Sequence, residues 1–343
     1  MIDLIARAPG LKSVDALVTG LVDYAGLFPP AGEDMRRALE RYASYLDSPD
    51  RRVLGRFIVP ISRLKELEES GSDLMPLGDS SEPWRLSVLV AGDLRAAAEE
   101  MLEFNDRHSP ESGAGRAVID VVELKASTAN EIVHQRSDLP TRFIAYFEIP
   151  INTDVSALVK AIATAGARAK IRTGGITPEA FPRAERVVDF LSACKHHGVA
   201  FKATAGLHHA VRGEYRLTYE PGSPKAMMYG FLNLFVAAAL LHSGESEETA
   251  LASLEDSEPS AFSFSDDAVQ WREKRIALEQ VVKFRSRFGV SFGSCSFREP
   301  VDELAPLTRR TRSIAPRMWF EKRFVRYDRF NKLADSRRLE VLF

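Results

Sequence analysis

The sequence has 343 residues, of which 45% are hydrophobic and 27% are charged, and its formal net charge at pH 7 is −2. This balance is typical of a globular protein with a sizeable core, and it excludes a disordered chain, a collagen-like repeat and a coiled coil. The near-zero net charge also argues against a nucleic-acid-binding surface that covers the whole protein.

The cysteine count and the apolar runs indicate the cellular compartment. The two cysteines, Cys194 and Cys295, cannot build a disulfide framework, which favours a reducing environment. The longest apolar run, at residues 231–241, is shorter than the roughly 18 residues that a membrane span needs. The N-terminus lacks the basic start and the long apolar stretch of a signal peptide. We therefore expect a cytoplasmic protein that does not bind membranes.

Short runs of β-branched and aromatic residues recur along the chain and predict strands. They are apolar nearly throughout, as in a parallel sheet with both faces buried. Helix-forming segments separate several of them, and this alternation favours a (β/α)8 barrel, with a doubly wound open sheet as the second choice. The predicted strands cover residues 56–59, 86–90, 117–124, 143–149, 169–172, 199–203 and 290–294.

The clearest predicted helix covers residues 178–197. Thr177 can cap its first turn, Pro178 suits the first helical position, and an apolar stripe follows at helical spacing. Gly198 then stands where the chain leaves the helix, a position at which a left-handed conformation is common.

A plain barrel needs about 250 residues, so roughly ninety residues of this chain are additional. We assign them to an N-terminal extension at 1–50, a mainly helical insertion at 213–285 before the last strand, and a helical C-terminal tail at 309–338. Within the insertion we expect helices at 227–242 and 271–284, and the first of these is apolar enough for a core or for the interface of a homo-oligomer. The last five residues (339–343, LEVLF) match the start of a protease site used in expression vectors, so we expect them to be foreign.

The tail at 309–338 holds eleven basic residues, three acidic residues and five interleaved aromatic residues. Such a composition can bind single-stranded nucleic acid, which gives one alternative function, a non-catalytic protein that binds RNA or a protein partner. The aromatic residues are also spaced to form one face of a helix. We favour packing or oligomer contact for this segment and do not expect nucleic acid as the main partner.

Ionisable residues crowd the carboxyl ends of the predicted strands, where barrel enzymes place their active sites. Lys170 and Lys202 lie on adjacent predicted strands, and a buried lysine is costly unless it is paired or used. A lysine amine attacks a carbonyl only when it is neutral, and burial or a second ammonium group lowers its pKa. The pair therefore predicts Schiff-base chemistry, in which a carboxylate such as Asp120 or Glu148 moves protons.

Four short segments carry a family resemblance: IDVV at 119–122, KIRTG at 170–174, FKATAG at 201–206 and RFGVSFGSCS at 287–296. In order and spacing they resemble Val-Asp-Val-Val, Lys-Thr-Ser-Thr-Gly, Phe-Lys-Pro-Ala-Gly-Gly and Arg-Phe-Gly-Ala-Ser-Ser of the deoxyribose-phosphate aldolases, which are class I aldolases with a (β/α)8 barrel. A helix beginning TPE at 177–179 follows the second segment, as it does in that family. The resemblance covers residues 117–206 and 287–296.

The resemblance implies that Lys170 forms the Schiff base, that Lys202 is the second lysine and that Asp120 relays protons, without a cofactor. It also implies an aldolase-type lyase that acts on a carbon–carbon bond of a small anionic carbonyl compound, which in the family is phosphorylated. The residues expected to bind substrate are Arg172, Gly174, Gly175, Gly206, His208, His209, Gly293 and Ser294.

The adjacent histidines allow a second alternative, a metal-dependent lyase or hydrolase on the same barrel. His208 and His209, with Glu148 or with Glu123 or Cys295 from other strand ends, could hold a divalent metal that polarises a carbonyl or activates water. The sequence identifies no basic partner for Cys295, and we therefore expect a buried structural cysteine there.

Overall fold

Eight parallel strands close into a barrel, seen in a computed structural model that describes residues 10–78 and 82–308. Seven of them follow one another around the barrel in chain order, and the last strand of the chain closes the ring between the first and the seventh. The (β/α)8 prediction is therefore confirmed. The strands are β1 (Val22–Tyr24), β2 (Leu54–Pro60), β3 (Trp84–Leu89), β4 (Ala117–Lys125), β5 (Ile144–Glu148), β6 (Arg168–Arg172), β7 (Phe201–Thr204), β8 (Gly213–Arg216), β9 (Lys225–Met228), β10 (Phe262–Phe264), β11 (Ala268–Trp271), β12 (Lys274–Ala277) and β13 (Gly289–Ser294), with β8–β12 outside the barrel.

Helices surround the barrel and bury the outward-facing side chains of its strands. Ala169 and Ile171 on β6, and Phe201 and Ala203 on β7, are fully buried on this outer side, so the residues between them face inward. The helices are α1 (Lys12–Val18), α2 (Met35–Leu46), α3 (Leu64–Gly71), α4 (Leu94–Arg107), α5 (Ala129–Asp138), α6 (Val155–Thr164), α7 (Ala184–His197), α8 (Phe231–His242), α9 (Glu247–Glu255), α10 (Leu278–Arg287) and α11 (Arg298–Leu307).

The helix predicted at 178–197 begins later than the sequence suggests. A single 3₁₀ turn, Pro178–Ala180, is followed by an extended Phe181, and α7 starts at Ala184. Pro182 explains the break, because a proline disfavours helical backbone at the residue before it. The predicted end is right, since Gly198 caps α7 in the left-handed conformation.

The predicted N-terminal extension belongs to the barrel. Within residues 1–50 lies β1, which pairs with β2 on one side and β13 on the other and so completes the ring. The expectation that this region precedes the barrel was wrong. Strand β1 has only three residues, which are too few to show a periodic pattern, and one of them is an aspartate, a residue that is depleted in strands.

The insertion at 213–285 is less helical than predicted. It contains a two-stranded hairpin, β8–β9, and a three-stranded antiparallel sheet, β10–β12, as well as α8, α9 and most of α10. The predicted helix at 271–284 was wrong in its first half, because Trp271 ends β11 and the helix starts only at Leu278. Helix α8 packs near α7, α10 and β13, and its residues 231–241 are buried within this one chain.

The predicted tail at 309–338 and the terminal residues 339–343 lie outside the described residues. Across the ranges that are described, we find no helix with the length and apolar character needed to cross a membrane.

Candidate active site

Two lysines and three carboxylates meet inside the barrel. Lys170 and Lys202 are register partners on the neighbouring strands β6 and β7, and both side chains point inward and are buried. Hydrophobic residues usually fill such positions. We call this group of residues the lysine cluster, and its members are Asp23, Glu123, Glu148, Lys170 and Lys202.

Glu123, near the end of β4, connects the two lysines. Its Oε2 lies 2.7 Å from Lys170 Nζ, and its Oε1 accepts a hydrogen bond of 2.6 Å from Lys202 Nζ. Ser87 Oγ on β3 donates a further hydrogen bond of 2.7 Å to the same Oε1. Both oxygens of one buried carboxylate are thus shared between two ammonium groups.

Asp23 on β1 holds the other side of Lys202. Its Oδ2 accepts hydrogen bonds of 2.7 Å from Lys202 Nζ and from Ser291 Oγ, and its Oδ1 accepts one of 2.8 Å from the Arg56 backbone N–H. Gly55 makes the last contact possible, because a Cβ at that position would lie 2.3 Å from Asp23 Oδ1. The Asp23 carboxylate is therefore fixed by three donors.

Ion pairing keeps Lys202 and Glu123, two members of the lysine cluster, charged. Burial disfavours charge on Lys202, but Asp23 and Glu123 outweigh it and raise the pKa of Lys202 above its usual range. Burial likewise opposes ionisation of Glu123, but Lys170 and Lys202 outweigh it and hold the pKa of Glu123 far below its usual range. Lys202 is therefore an ammonium group and Glu123 a carboxylate at neutral pH.

Glu148, the last residue of β5, links the lysine cluster to the barrel mouth. Its Oε2 lies 2.8 Å from Lys170 Nζ, and its Oε1 accepts a hydrogen bond of 3.4 Å from Nε of Arg172, whose side chain is 51% exposed. Burial works against ionisation, but Lys170 and then Arg172 lower the pKa of Glu148. Glu148, which the sequence analysis names as a candidate for proton transfer, is thus an ion-pair partner of Lys170.

Asp120, expected to relay protons, does not contact either lysine. Its Oδ1 lies 2.6 Å from Nε of Arg56, its Oδ2 accepts a hydrogen bond of 2.7 Å from the Arg56 NH2 group, and Arg85 also contacts Oδ2. These three residues, which we call the arginine cluster, lie nearer the amino ends of their strands. We therefore correct that assignment, because the carboxylate that lies between the two lysines is Glu123.

The glycines predicted to bind an anion pack closely against each other and against other residues. Gly174 and Gly206, in the loops after β6 and β7, approach so closely that a Cβ on either would lie 2.9 Å from the other's Cα, and the Phe181 ring covers both. A Cβ on Gly175 would lie 2.8 Å from Cβ of Ala180. We therefore explain these glycines by close packing of the two loops.

The backbone after β7 is strained at Ala205, whose φ is +63°, a value that costs a non-glycine residue of order 1–3 kcal/mol. Buried Thr173 supports this conformation, because its Oγ1 donates a hydrogen bond of 2.7 Å to the Ala205 carbonyl. The strained residue directly follows the strand that carries Lys202, and it sets the path of the chain toward His208.

The predicted anion site at the end of β13 is only partly free to bind a ligand. Ser294 Oγ donates to the Ser296 carbonyl at 2.7 Å and accepts from the Ser296 N–H at 3.3 Å, so its hydroxyl shapes a local turn. Gly293 lies beside Asp23 in the strand register, and a Cβ there would crowd Ile58 Cδ1 at 3.1 Å.

His208 and Cys295 lie together at the carboxyl-terminal face of the barrel. Cys295 directly follows β13, and its Sγ lies 3.7 Å from Nδ1 and 4.0 Å from Nε2 of His208 in the loop after β7. Cys295 is buried, as the sequence predicts, and the fold gives it the basic neighbour that the sequence does not identify. The two residues are 87 positions apart, and only the barrel brings them together.

The alternative metal set is not assembled. His208 faces Cys295 and Glu299, Glu148 faces Lys170, and His209 Nδ1 lies 2.7 Å from Glu303 Oε1 while its ring stacks on Tyr215. Among residues 10–78 and 82–308, no group of three or more His, Cys, Asp or Glu side chains is arranged to hold a metal ion.

Sequence reasoning missed four residues of the interior: Asp23, Ser87, Tyr146 and Ser291. Lys202 Nζ lies 5.5 Å from the centre of the Tyr146 ring, and Arg168 NH1 donates a hydrogen bond of 3.0 Å to the Tyr146 hydroxyl. The available signal was a polar residue inside an apolar run, as in LSVLV for Ser87.

Comparison with known proteins gives little. No protein family and no curated protein matches the sequence. Among solved structures, the spore cortex-lytic enzyme SleL of Bacillus cereus is similar over 86% of this chain and 76% of its own, with 10% sequence identity and a TM-score of 0.34. A similarity this low carries no argument about function.

Proposed function

We propose that the protein is a Schiff-base lyase of the aldolase type that acts on a small anionic carbonyl compound. The observation that carries the proposal is the pair of buried lysines sharing Glu123 in the barrel interior. Burying two ammonium groups costs several kcal/mol per ion before pairing offsets it, so hydrophobic residues would stabilise a purely structural interior at least as well.

Lys170 is the better nucleophile of the two. Lys202 donates hydrogen bonds to two carboxylates, and its raised pKa keeps it an ammonium group. Lys170 contacts Glu148, and Glu148 in turn reaches the half-exposed Arg172 at the mouth. Lys170 is thus the lysine connected to the end of the barrel from which substrate would enter.

The chemistry begins with transfer of a proton from Lys170 to Glu148, which leaves a neutral amine next to a carboxylic acid. The amine adds to the substrate carbonyl, and the proton returns from Glu148 as water leaves. The balance is one ammonium group and one carbonyl giving one iminium and one water. The iminium draws electrons from the neighbouring carbon–carbon bond and permits its cleavage or formation.

Lys202 and Glu123 have supporting roles in this scheme. Lys202, held by Asp23 and Glu123, is the fixed cation of the pair. Glu123 orients both amines. Arg172, the exposed cation at the mouth, is placed to receive the anionic end of the substrate.

Borohydride trapping tests the proposal. Incubation with acetaldehyde, pyruvate, glycolaldehyde and glyceraldehyde 3-phosphate, each followed by reduction and peptide mass analysis, should leave an adduct on Lys170 with at least one compound. Lys170→Arg keeps the positive charge but cannot form the adduct. The matched control is Lys65→Arg, since the Lys65 side chain is 85% exposed on α3; this variant should trap like the parent protein.

Two results would contradict the proposal. If neither Lys170 nor Lys202 is modified by any compound of the panel, the Schiff-base mechanism is wrong. If the adduct forms on Lys202 and persists in Lys170→Arg, the roles of the two lysines are reversed.

A further inference from the structure

A second group of reactive side chains lies on the same face of the barrel, outside the lysine cluster. We call it the cysteine cluster, and its members are His208, Tyr219, Cys295 and Glu299. Cys295 Sγ lies 3.7 Å from His208 Nδ1 and 3.8 Å from the Tyr219 hydroxyl. Two groups that can donate a proton or a hydrogen bond therefore surround one sulfur atom.

Glu299, near the start of α11, supports both of these groups. Its Oε2 lies 3.4 Å from His208 Nδ1 and accepts a hydrogen bond of 3.1 Å from the Tyr219 hydroxyl. A nucleophile, a base and a carboxylate that orients the base are the parts that activated cysteines require. Four different elements supply these residues: the loop after β7, the β8–β9 turn, the segment after β13, and α11.

The charged groups around His208 favour its imidazolium form. Burial disfavours charge on His208, but Cys295 and then Glu299 outweigh it and raise the pKa of His208 to about 10. Burial opposes ionisation of Glu299, but His208 and then His209 lower the pKa of that carboxyl. His209 is itself paired with Glu303 of α11.

Cys194 provides a comparison within the same chain. It is fully buried in α7 among apolar residues, and burial raises the pKa of its thiol well above the usual value. Cys194 thus has the environment of an inert structural cysteine. Cys295 is also buried, but its cover includes Tyr219, whose side chain is 50% exposed at the surface.

We propose that Cys295 is a second nucleophile of this barrel face, which reacts as the thiolate while the neighbouring His208 holds the proton, and that it adds reversibly to the carbonyl carbon of a small aldehyde. In this step the sulfur–carbon bond forms as the carbon–oxygen π bond breaks. The imidazolium then gives its proton to the resulting alkoxide. The products are a neutral hemithioacetal and a neutral imidazole, and the reverse step restores the ion pair. No oxidant or reductant takes part.

The effect of His208 on alkylation tests the pairing. Cys194→Ala leaves Cys295 as the single thiol, and its rate of reaction with iodoacetamide is measured at pH 7. Because the thiolate is the reacting form and His208 holds its proton, adding His208→Asn should slow the alkylation by about tenfold or more.

Access to the sulfur is controlled with Tyr219→Ala in the same background, which removes the cover. A thiol that is inert both with and without Tyr219, or one whose alkylation rate His208→Asn leaves unchanged in both proteins, overturns the proposal. The ultraviolet absorbance of the thiolate, taken as the difference from Cys194→Ala/Cys295→Ser, checks the effect of His208→Asn without any need for reagent access.

The carbonyl step is tested with propanal in a protein that also carries Lys170→Arg, so that no Schiff base can form at Lys170 and the result does not depend on the proposed function. Saturating propanal should slow the alkylation of Cys295, and gel filtration should restore the original rate because the adduct is reversible. An alkylation rate that propanal leaves unchanged overturns the assignment of an aldehyde.

Discussion

The lysine cluster and the arginine cluster occupy the same barrel and are built alike, since each has a carboxylate shared by two cations. Glu123 lies between Lys170 and Lys202, and Asp120 lies between Arg56 and Arg85. They differ in the cation. A guanidinium keeps its proton at any pH a protein survives, whereas an ammonium can lose one when its surroundings change.

Burial differs as well. The side chains of Glu123 and Lys202 are almost completely enclosed, whereas Arg85 in the arginine cluster is 56% exposed. A shared carboxylate therefore does not by itself mark a reactive centre. The proposed mechanism needs a cation that can lose its proton to an enclosed carboxylate, and the guanidinium groups of the arginine cluster do not provide one.

The largest effect is expected from removal of Glu123. Glu123→Ala leaves two buried ammonium groups with fewer partners, and loss of one member of a buried ion pair costs about 3–5 kcal/mol. Urea unfolding measures the loss. Glu123→Gln, which keeps the shape and a hydrogen-bond acceptor, should cost less, and equal losses in the two variants would show that charge is not what holds the lysines.

A smaller loss is expected when the arginine cluster is broken. Asp120→Asn keeps one acceptor for Arg56 and allows Arg85 to turn into solvent, so the cost should be about 2 kcal/mol. The same variant should still form the borohydride adduct on Lys170, because Asp120 contacts neither lysine. Loss of the adduct in a folded Asp120→Asn protein would restore Asp120 to the reaction.

A smaller effect is expected when the unfolding free energies of the parent protein and of Glu123→Gln are compared at acid pH. The folded pKa of Glu123 is lowered, so its contribution to stability is present above the unfolded pKa of about 4.3 and decreases as the pH falls below it. The stability difference between the two proteins should be constant from pH 5 to 7 and should shrink by about 1–2 kcal/mol at pH 3. A difference that does not change with pH would contradict the buried carboxylate.

The smallest effect is expected at Arg85. Its side chain is mostly in solvent, and exposed ion pairs contribute less than about 1 kcal/mol. Arg85→Ala should therefore unfold at nearly the same urea concentration as the parent. A loss of stability as large as that of Asp120→Asn would mean that both arginines, and not Arg56 alone, hold the Asp120 carboxylate.

Much of the fold could be predicted from the sequence, because seven of the eight barrel strands correspond to short runs with β-branched or aromatic residues, and helix-forming segments separate several of them. The missing strand, β1, is three residues long and contains Asp23. Its place in the ring depends on pairing with β2 and β13, a tertiary fact that a local pattern does not contain.

The lysines could be predicted and the carboxylate between them could not. The register of β3 and β4 shifts where Leu86 pairs with Ile119 and Ser87 with Val121, so Asp120 is the extra residue of a bulge. A bulge redirects side chains, and here both Asp120 and Glu123 point inward although they lie three positions apart on one strand. The position of each inward-facing side chain along the barrel axis depends on this bulge and on the stagger of the strands.

The sharing of Glu123 by two ammonium groups has a consequence for kinetics. Groups that interact this strongly exchange protons in macroscopic steps that belong to the whole set. The midpoints of a pH–rate profile for this protein would therefore be properties of Lys170, Lys202 and their carboxylates jointly. Replacing any one of them should displace every midpoint at once, including those of residues that the substitution leaves in place.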